Sequence, residues 1–313
     1  MRYIEDFKED ESIIGHYLCK QRQSLKSRSG KTYLSLKLQD KTGLIDAKVW
    51  ELSNDIQNFE ENDFIKIDAV VVTYQNELQL RVNKLRRSME GEFDKMNYIP
   101  TTDKDVDKLF VQLMDYIKAL SNPYVKQLLE NIFVNDSEIN SLFKNHSAAK
   151  TMHHGYMGGL IEHTLSVVSI CDFMSNKYKY VNRDILLAAA MLHDIGKVYE
   201  LSEFPNNDYT DEGQLIGHIV IGAELITREA SKIPNFPVRL KNLLKHCILS
   251  HHGEYEFGSP KRPKVIEAFI LHCADNMDAK VQMFDEMIEK DNTQGNWMGY
   301  NKMLARFVSK SDI

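Results

Sequence analysis

The stretch AAAMLHDIGKVYE, residues 188–200, carries an apolar run straight into an imidazole and a carboxylate, His193 and Asp194, followed by Gly196 and Lys197. Placing both at the end of such a helix is costly unless something binds them. The same half of the chain holds further side chains of these kinds, each set in apolar sequence. His163 lies in GGLIEHTLSVV, His218 in EGQLIGHIVIGAELI, His251 and His252 close LLKHCILSHHG, and Asp275 lies in EAFILHCADNMDAK. Imidazole with carboxylate suits a divalent ion such as manganese, cobalt, iron or zinc. No thiol belongs to the set, which argues against a structural zinc–cysteine site. A carboxylate beside a histidine at a helix end can point with it at one centre, and can bridge two ions in a hydrolytic site. Any one such histidine alone is more often a satisfied core residue. His146, His153, His154, His246 and His272 fit that description or a surface one. The set together favours chemistry, with Gly196 expected to allow a sharp turn and Lys197 to supply a cation beside a phosphate-sized site.

Helices must bring these residues together, and from Thr102 onward the pattern is helical. Val106, Leu109, Phe110, Leu113 and Ile117 recur at helical spacing. Further helices are expected over 123–133, 136–144, 160–178, 183–194, 213–231, 236–250 and 263–289. Residues 1–87 read differently. Leu34, Leu36 and Leu38 alternate with polar neighbours, as do Ile45, Ala47 and Val49, across the turn DKTG. With strands at SIIGHYLCKQRQ, DFIKIDAVVVTY and ELQLRVNKLR, and a short helix at LSNDIQNFE, this is the recipe of a small OB-type barrel. Residues 88–102 fit no period and are expected as a linker to a helical domain over 103–313. The fold class is therefore a small β-barrel followed by an all-α domain.

The segment CKQRQSLKSRSGKTY carries Lys20, Arg22, Lys26, Arg28 and Lys31 without an acid, and is expected in the loop between the first two strands. Tyr33, Lys37, Lys48 and Trp50 fall on outward positions of the next two strands. In OB barrels that loop and those faces bind single-stranded nucleic acid, rings stacking on bases and cations tracking phosphates. The bland alternative is a solvated basic hairpin. A net charge of −6 over 313 residues does not advertise nucleic-acid binding and decides little. No apolar run approaches the ~20 residues of a membrane span, and MRYIEDFKEDESIIGHY lacks a signal-peptide core. Cys19, Cys171, Cys247 and Cys273 form no C-x-x-C pair and read as reduced thiols. The cytoplasm is the expected compartment. The helix over 105–120 and the tail NWMGYNKMLARFV are candidates for contact between copies or for ordinary packing.

The run EHT, HDIGK, GH, SHH and a late Asp resembles the HD phosphohydrolase superfamily over roughly residues 145–290. The resemblance implies a helical metal-dependent fold in which His163, His193, Asp194 and Asp275 hold one ion. His218 and His251, with Asp194 as bridge, would hold a second, His252 replacing His251 or standing behind it. An OB module ahead of an HD domain, together with MHHGYMGGLIEHT and AAAMLHDIGK, is similar to the YhaM-type 3′-to-5′ exoribonucleases. That likeness implies two divalent ions, manganese foremost, with cobalt, iron, magnesium or zinc as alternatives. It also implies single-stranded RNA, and DNA as a second option, as substrate, with Asp194 and Lys197 catalytic and nucleoside 5′-monophosphates as products. His153 and His154 are candidate contacts to the terminal nucleotide. The alternatives are a nucleotide or cyclic-nucleotide phosphohydrolase with a regulatory barrel, and a binding module with an inactive HD fold.

Overall fold

Alternating side chains in the front segment become two sides of a closed barrel. A computed structural model describes the whole chain except Met1, Arg28, Asn54, Asn76, residues 151–154, Lys290, Asn292, Gln294, and residues 302–303 and 312–313. It divides into two compact units, one of Met1–Asp103 with Tyr156–Gly158 and Ser202–Asp208, the other of the remainder. In the first, β1 (Ser12–Lys26), β2 (Thr32–Asp40), β3 (Gly43–Val49), β4 (Phe64–Tyr74) and β5 (Glu77–Arg87) close in the order β1-β2-β3-β5-β4. The β3–β5 pairing is parallel and the others antiparallel. Leu34, Leu36, Leu38, Ile45, Ala47 and Val49 all point into the barrel core, as the alternation requires.

Three expectations for this unit change. β1 runs on to Lys26, so Lys20, Arg22 and Lys26 are strand residues and not loop residues. The short helix over 52–60 does not form among the described residues. Gln57 N–H donates to the Leu85 carbonyl and Leu85 N–H to the Asp55 carbonyl, so the segment spends its backbone groups on β5 instead of on a helix. Residues 88–102 lie on the barrel: Phe93 stacks on Phe64 at 4.3 Å, and Tyr98 and Ile99 are buried.

The second unit is helical. It contains α1 (Val106–Lys118), α2 (Pro123–Glu130), α3 (Ser137–Asn145), α4 (Gly159–Lys177), α5 (Arg183–Leu192), α6 (Lys197–Glu200), α7 (Asp211–Leu215), α8 (His218–Ser231), α9 (Val238–Ser250) and α10 (Ile266–Glu289). Asp105, Asn122, Asp136, Asn182 and Thr210 cap α1, α2, α3, α5 and α7 by accepting from first-turn N–H groups. α5 is buried all round, and α4, α9 and α10 pack against it. On α1, Leu109, Leu113 and Ile117 face this core. The helix expected over 213–231 is two helices. Gly217 has φ +80°, which breaks the run and starts α8 at His218. The tail is a β-hairpin, β6 (Trp297–Asn301) with β7 (Arg306–Ser309), leaving Trp297, Tyr300 and Phe307 exposed. None of the described helices is long and apolar enough to cross a membrane.

Candidate active site

The candidate ligand side chains named from the sequence come from five places in the helical unit and meet around Asp194. His163 is in the second turn of α4; His193 is the C-cap of α5 and His251 that of α9; His218 opens α8; Asp275 lies on α10. Asp194 is 3% exposed and His193 and His251 are buried. The two oxygens of Asp194 face different partners. Oδ2 lies 3.4 Å from His193 Nε2 and 3.6 Å from His163 Nε2. Oδ1 lies 3.5 Å from His218 Nε2 and 3.8 Å from His251 Nε2. Asp275 Oδ1 joins the first set, 3.2 Å from His163 Nε2 and 3.8 Å from His193 Nε2. One ligand atom from each of His218, His251 and His252 lies within 4.8 Å of the others, and the same holds for His163, His193 and Asp194.

Tautomers follow from what each Nδ1 touches. His193 Nδ1 is 2.8 Å from the Ala190 carbonyl, His251 Nδ1 2.7 Å from Ile248 and His252 Nδ1 2.9 Å from Phe257. A carbonyl only accepts, so these Nδ1 atoms carry the proton and the lone pair is on Nε2. His218 Nδ1 meets Glu200 at 2.8 Å, with the same consequence; His163 Nδ1 meets Asp278 at 2.7 Å while its Nε2 faces Asp275, and those two carboxylates keep a second proton on the ring until an ion displaces it. The Nε2 atoms therefore converge. His163 Nε2 and His193 Nε2 stand 3.2 Å apart, and the Nε2 atoms of His218 and His251 are buried with no hydrogen-bond partner. Orphaned buried acceptors are costly unless a cation satisfies them. Donors bound to one ion at about 2.0–2.2 Å stand roughly 3–3.5 Å apart, close to the separations here. The residues fit a divalent metal.

Charge is arranged accordingly. Burial disfavours the Asp194 carboxylate, but Lys197, whose Nζ is 2.6 Å from Oδ2, and His193 outweigh it and hold its pKa well below the usual range. Burial lowers the Lys197 pKa less than Asp194 raises it, so the ammonium stays charged. Burial and the neighbouring His252 push the His251 pKa well down, keeping that ring neutral and able to ligate. A cleft of about 300 Å³ opens on the cluster, lined by Lys197, His252, Phe257, His272, Asp275 and Asn276 among others.

Gly196 corrects one sequence expectation. Its φ is −65°, which any residue adopts, so it is not needed for a sharp turn. A Cβ there would lie 2.1 Å from the His218 carbonyl oxygen and 2.9 Å from Gly222 N. The glycine lets the His193-Asp194 turn press against the start of α8. Glu200, Asp278 and Ser166, which donates to Asp278, escaped the sequence reading. The available signal was spacing: Asp278 follows Asp275, and Glu200 follows Lys197, by one helical turn.

Of the basic and aromatic residues, Tyr33 and Trp50 stack on each other at 4.5 Å, with Trp50 48% exposed. Lys26, Lys31 and Lys37 are exposed. Lys48 donates to Ser35 and Arg22 lies over the Phe59 ring at 5.3 Å. Lys20 does not sit in an open loop; its ammonium donates to the carbonyls of Pro205 and Asn206 in the same compact unit. Arg28, His153 and His154 lie outside the described residues.

Family models agree with this division: an OB-fold nucleic acid binding domain matches residues 20–87 and an HD domain residues 160–280. Among solved structures, the HD domain of the L. monocytogenes phosphodiesterase PgpH is 18% identical over 50% of this chain and 84% of its own, with a TM-score of 0.30. The second OB-fold domain of replication protein A from Methanococcus maripaludis is 17% identical over 30% of this chain and 98% of its own, with a TM-score of 0.24. Neither likeness, at that score, bears on substrate. The 3′-5′ exoribonuclease YhaM of Geobacillus sp. (strain WCH70) is 35% identical over 264 residues, 84% of this chain and 80% of that protein. A metal-dependent phosphodiester hydrolase architecture behind a nucleic-acid-binding barrel, with identity sustained along nearly the whole chain, places it in the YhaM family of 3′-5′ exoribonucleases.

Proposed function

We propose that this protein shortens single-stranded RNA, and single-stranded DNA when offered, from the 3′ end to nucleoside 5′-monophosphates, using two divalent ions with manganese as the preferred metal. The observation that carries this is the split of the Asp194 carboxylate between two imidazole groups. His163, His193, Asp194 and Asp275 would hold one ion; Asp194, His218 and His251 the other, with His252 beside them. Ions there supply a nucleophile from water near neutral pH and offset charge on the phosphoryl oxygens. The protein's own part is to orient. Lys197 fixes Asp194 and presents its ammonium on the cleft wall, where a phosphoryl oxygen can meet it. Phe257, 67% exposed at the same cleft, offers a ring to the terminal base.

In the barrel, Lys26, Lys31, Lys37 and the Tyr33–Trp50 pair are the proposed strand-binding face, with Arg22 and Lys48 alongside. Tethering that face to the hydrolase raises the local concentration of the strand. The exposed rings of the C-terminal hairpin are the surface proposed for contact between copies, and the cytoplasm is the proposed compartment.

The test is a 5′-labelled oligoribonucleotide incubated with the protein and a metal series. A ladder shortening from the 3′ end, with release of monophosphates, is expected with Mn2+. Asp194→Asn should bind the RNA and leave it intact. Unshortened RNA alongside phosphate release from free nucleotides would overturn the reading in favour of a nucleotide phosphohydrolase.

A further inference from the structure

The five imidazoles are locked in two ways. His193, His251 and His252 give their Nδ1–H to backbone carbonyls, which no side-chain change removes. His163 and His218 give theirs to carboxylates, and one of these two belongs to each imidazole group. Glu200 Oε1 accepts both the His218 backbone N–H at 2.9 Å and its Nδ1–H at 2.8 Å. Thr210 N–H binds the Glu200 carbonyl at 3.0 Å, and Gly213 presses on that carbonyl so closely that a Cβ would stand 2.1 Å away. Glu200 is thus held by its own backbone while its carboxylate holds His218. On the opposite side Asp278 receives His163 Nδ1 through one oxygen and Ser166 through the other.

We propose that Glu200 and Asp278 are positioning residues that govern the two ion sites separately, Glu200 the His218–His251–His252 site and Asp278 the His163–His193 site. The proposal rests on the two-ion reading above. An acceptor behind an imidazole fixes its tautomer and raises its basicity, and removing such a group typically weakens metal binding about 10–100-fold.

The experiment is Mn2+ titration of the full-length, chelator-stripped protein by calorimetry, with metal content measured after desalting. The parent should bind two ions. Glu200→Ala should keep one at parental affinity and bind the other about 10–100-fold more weakly. Glu200→Gln should keep both, because its amide oxygen accepts the same two N–H groups. Combined with His218→Ala, Glu200→Ala should cost nothing further; combined with His163→Ala, it should cost both ions. Two ions at parental affinity in Glu200→Ala, or equal weakening of both, overturns the proposal. If Glu200→Ala does not fold, Asp278→Ala puts the same question from the other side: one ion weakened supports the proposal, and neither or both weakened overturns it. A parent that binds a single ion removes the two-ion reading itself, whatever the variants do.

Discussion

Replacing Gly196 with alanine separates two reasons for a glycine that predict opposite signs. At φ −65° an alanine costs nothing in backbone strain. It would narrow the unfolded ensemble and stabilise the protein by about 0.4–1 kcal/mol if conformation were all that mattered. The added Cβ, however, meets the His218 carbonyl oxygen at 2.1 Å and Gly222 N at 2.9 Å. Both are backbone atoms, so no rotamer change relieves the clash, and the start of α8 must retreat from the His193-Asp194 turn by about 1 Å in a close-packed core. Overpacking of this kind costs about 1–3 kcal/mol. The helical unit should therefore melt roughly 5 °C lower, at about 2–4 °C per kcal/mol for a unit of this size. The same retreat carries His218 away from Asp194 Oδ1, now 3.5 Å from its Nε2. A misplacement of about 1 Å in a catalytic constellation costs roughly 100-fold in rate. Calorimetric melting of the metal-free variant and its RNA digestion rate with saturating Mn2+ read the two effects. An alanine variant that melts higher than the parent and digests RNA at the parental rate would refute the close-approach argument.

Two further outcomes follow from the charges and the rings. Burial lowers the His163 pKa, but its hydrogen bonds to Asp275 and Asp278 outweigh that and hold it up at about 9 in the metal-free protein, against 6.5 for a free imidazole. A raised folded-state pKa gives stability that is complete below about 6.5 and lost as pH rises through about 9. Thermal scans in chelator should show that decline, and a flat profile over pH 6.5–9 would contradict it. On the barrel, Trp50→Ala and Tyr33→Ala should each weaken oligonucleotide binding by about 1–3 kcal/mol, read by fluorescence anisotropy. The double variant should lose less than the sum, since the two rings stack on each other. No change in either single variant would exclude this face.

Legibility in the sequence tracked the kind of force at work. Leu34, Leu36, Leu38, Ile45, Ala47 and Val49 are assigned to a core by period alone, because burial of alternate side chains is what a strand's geometry imposes. The ligand types are readable for a related reason: His163 and His193 are buried, and His218 and Asp275 half-buried, in apolar sequence where a binding partner offsets that burial. Periodicity fails where backbone hydrogen bonds decide. Residues 52–60 give their N–H and carbonyl groups to β5, and Gly217 at φ +80° splits a run that reads as one helix. Glu200 and Asp278 are invisible in the sequence because their role exists only once the folded chain has set an imidazole beside each.

That hidden layer follows a rule of helix geometry. The last carbonyls of a helix have few partners within it, so His193 and His251, each a C-cap, give Nδ1–H to a carbonyl three residues back and fix their own tautomer in one contact. His163, inside α4, has no such carbonyl to spare, and His218, opening α8, has orphan N–H groups where the others have carbonyls. Both must import an acceptor, and a carboxylate on another element serves. Burial and its histidine neighbour drive the carbonyl-locked His251 well down, whereas two carboxylates overcome burial to raise His163. His251 is thus neutral and ready for a metal, whereas His163 must release a proton to receive one.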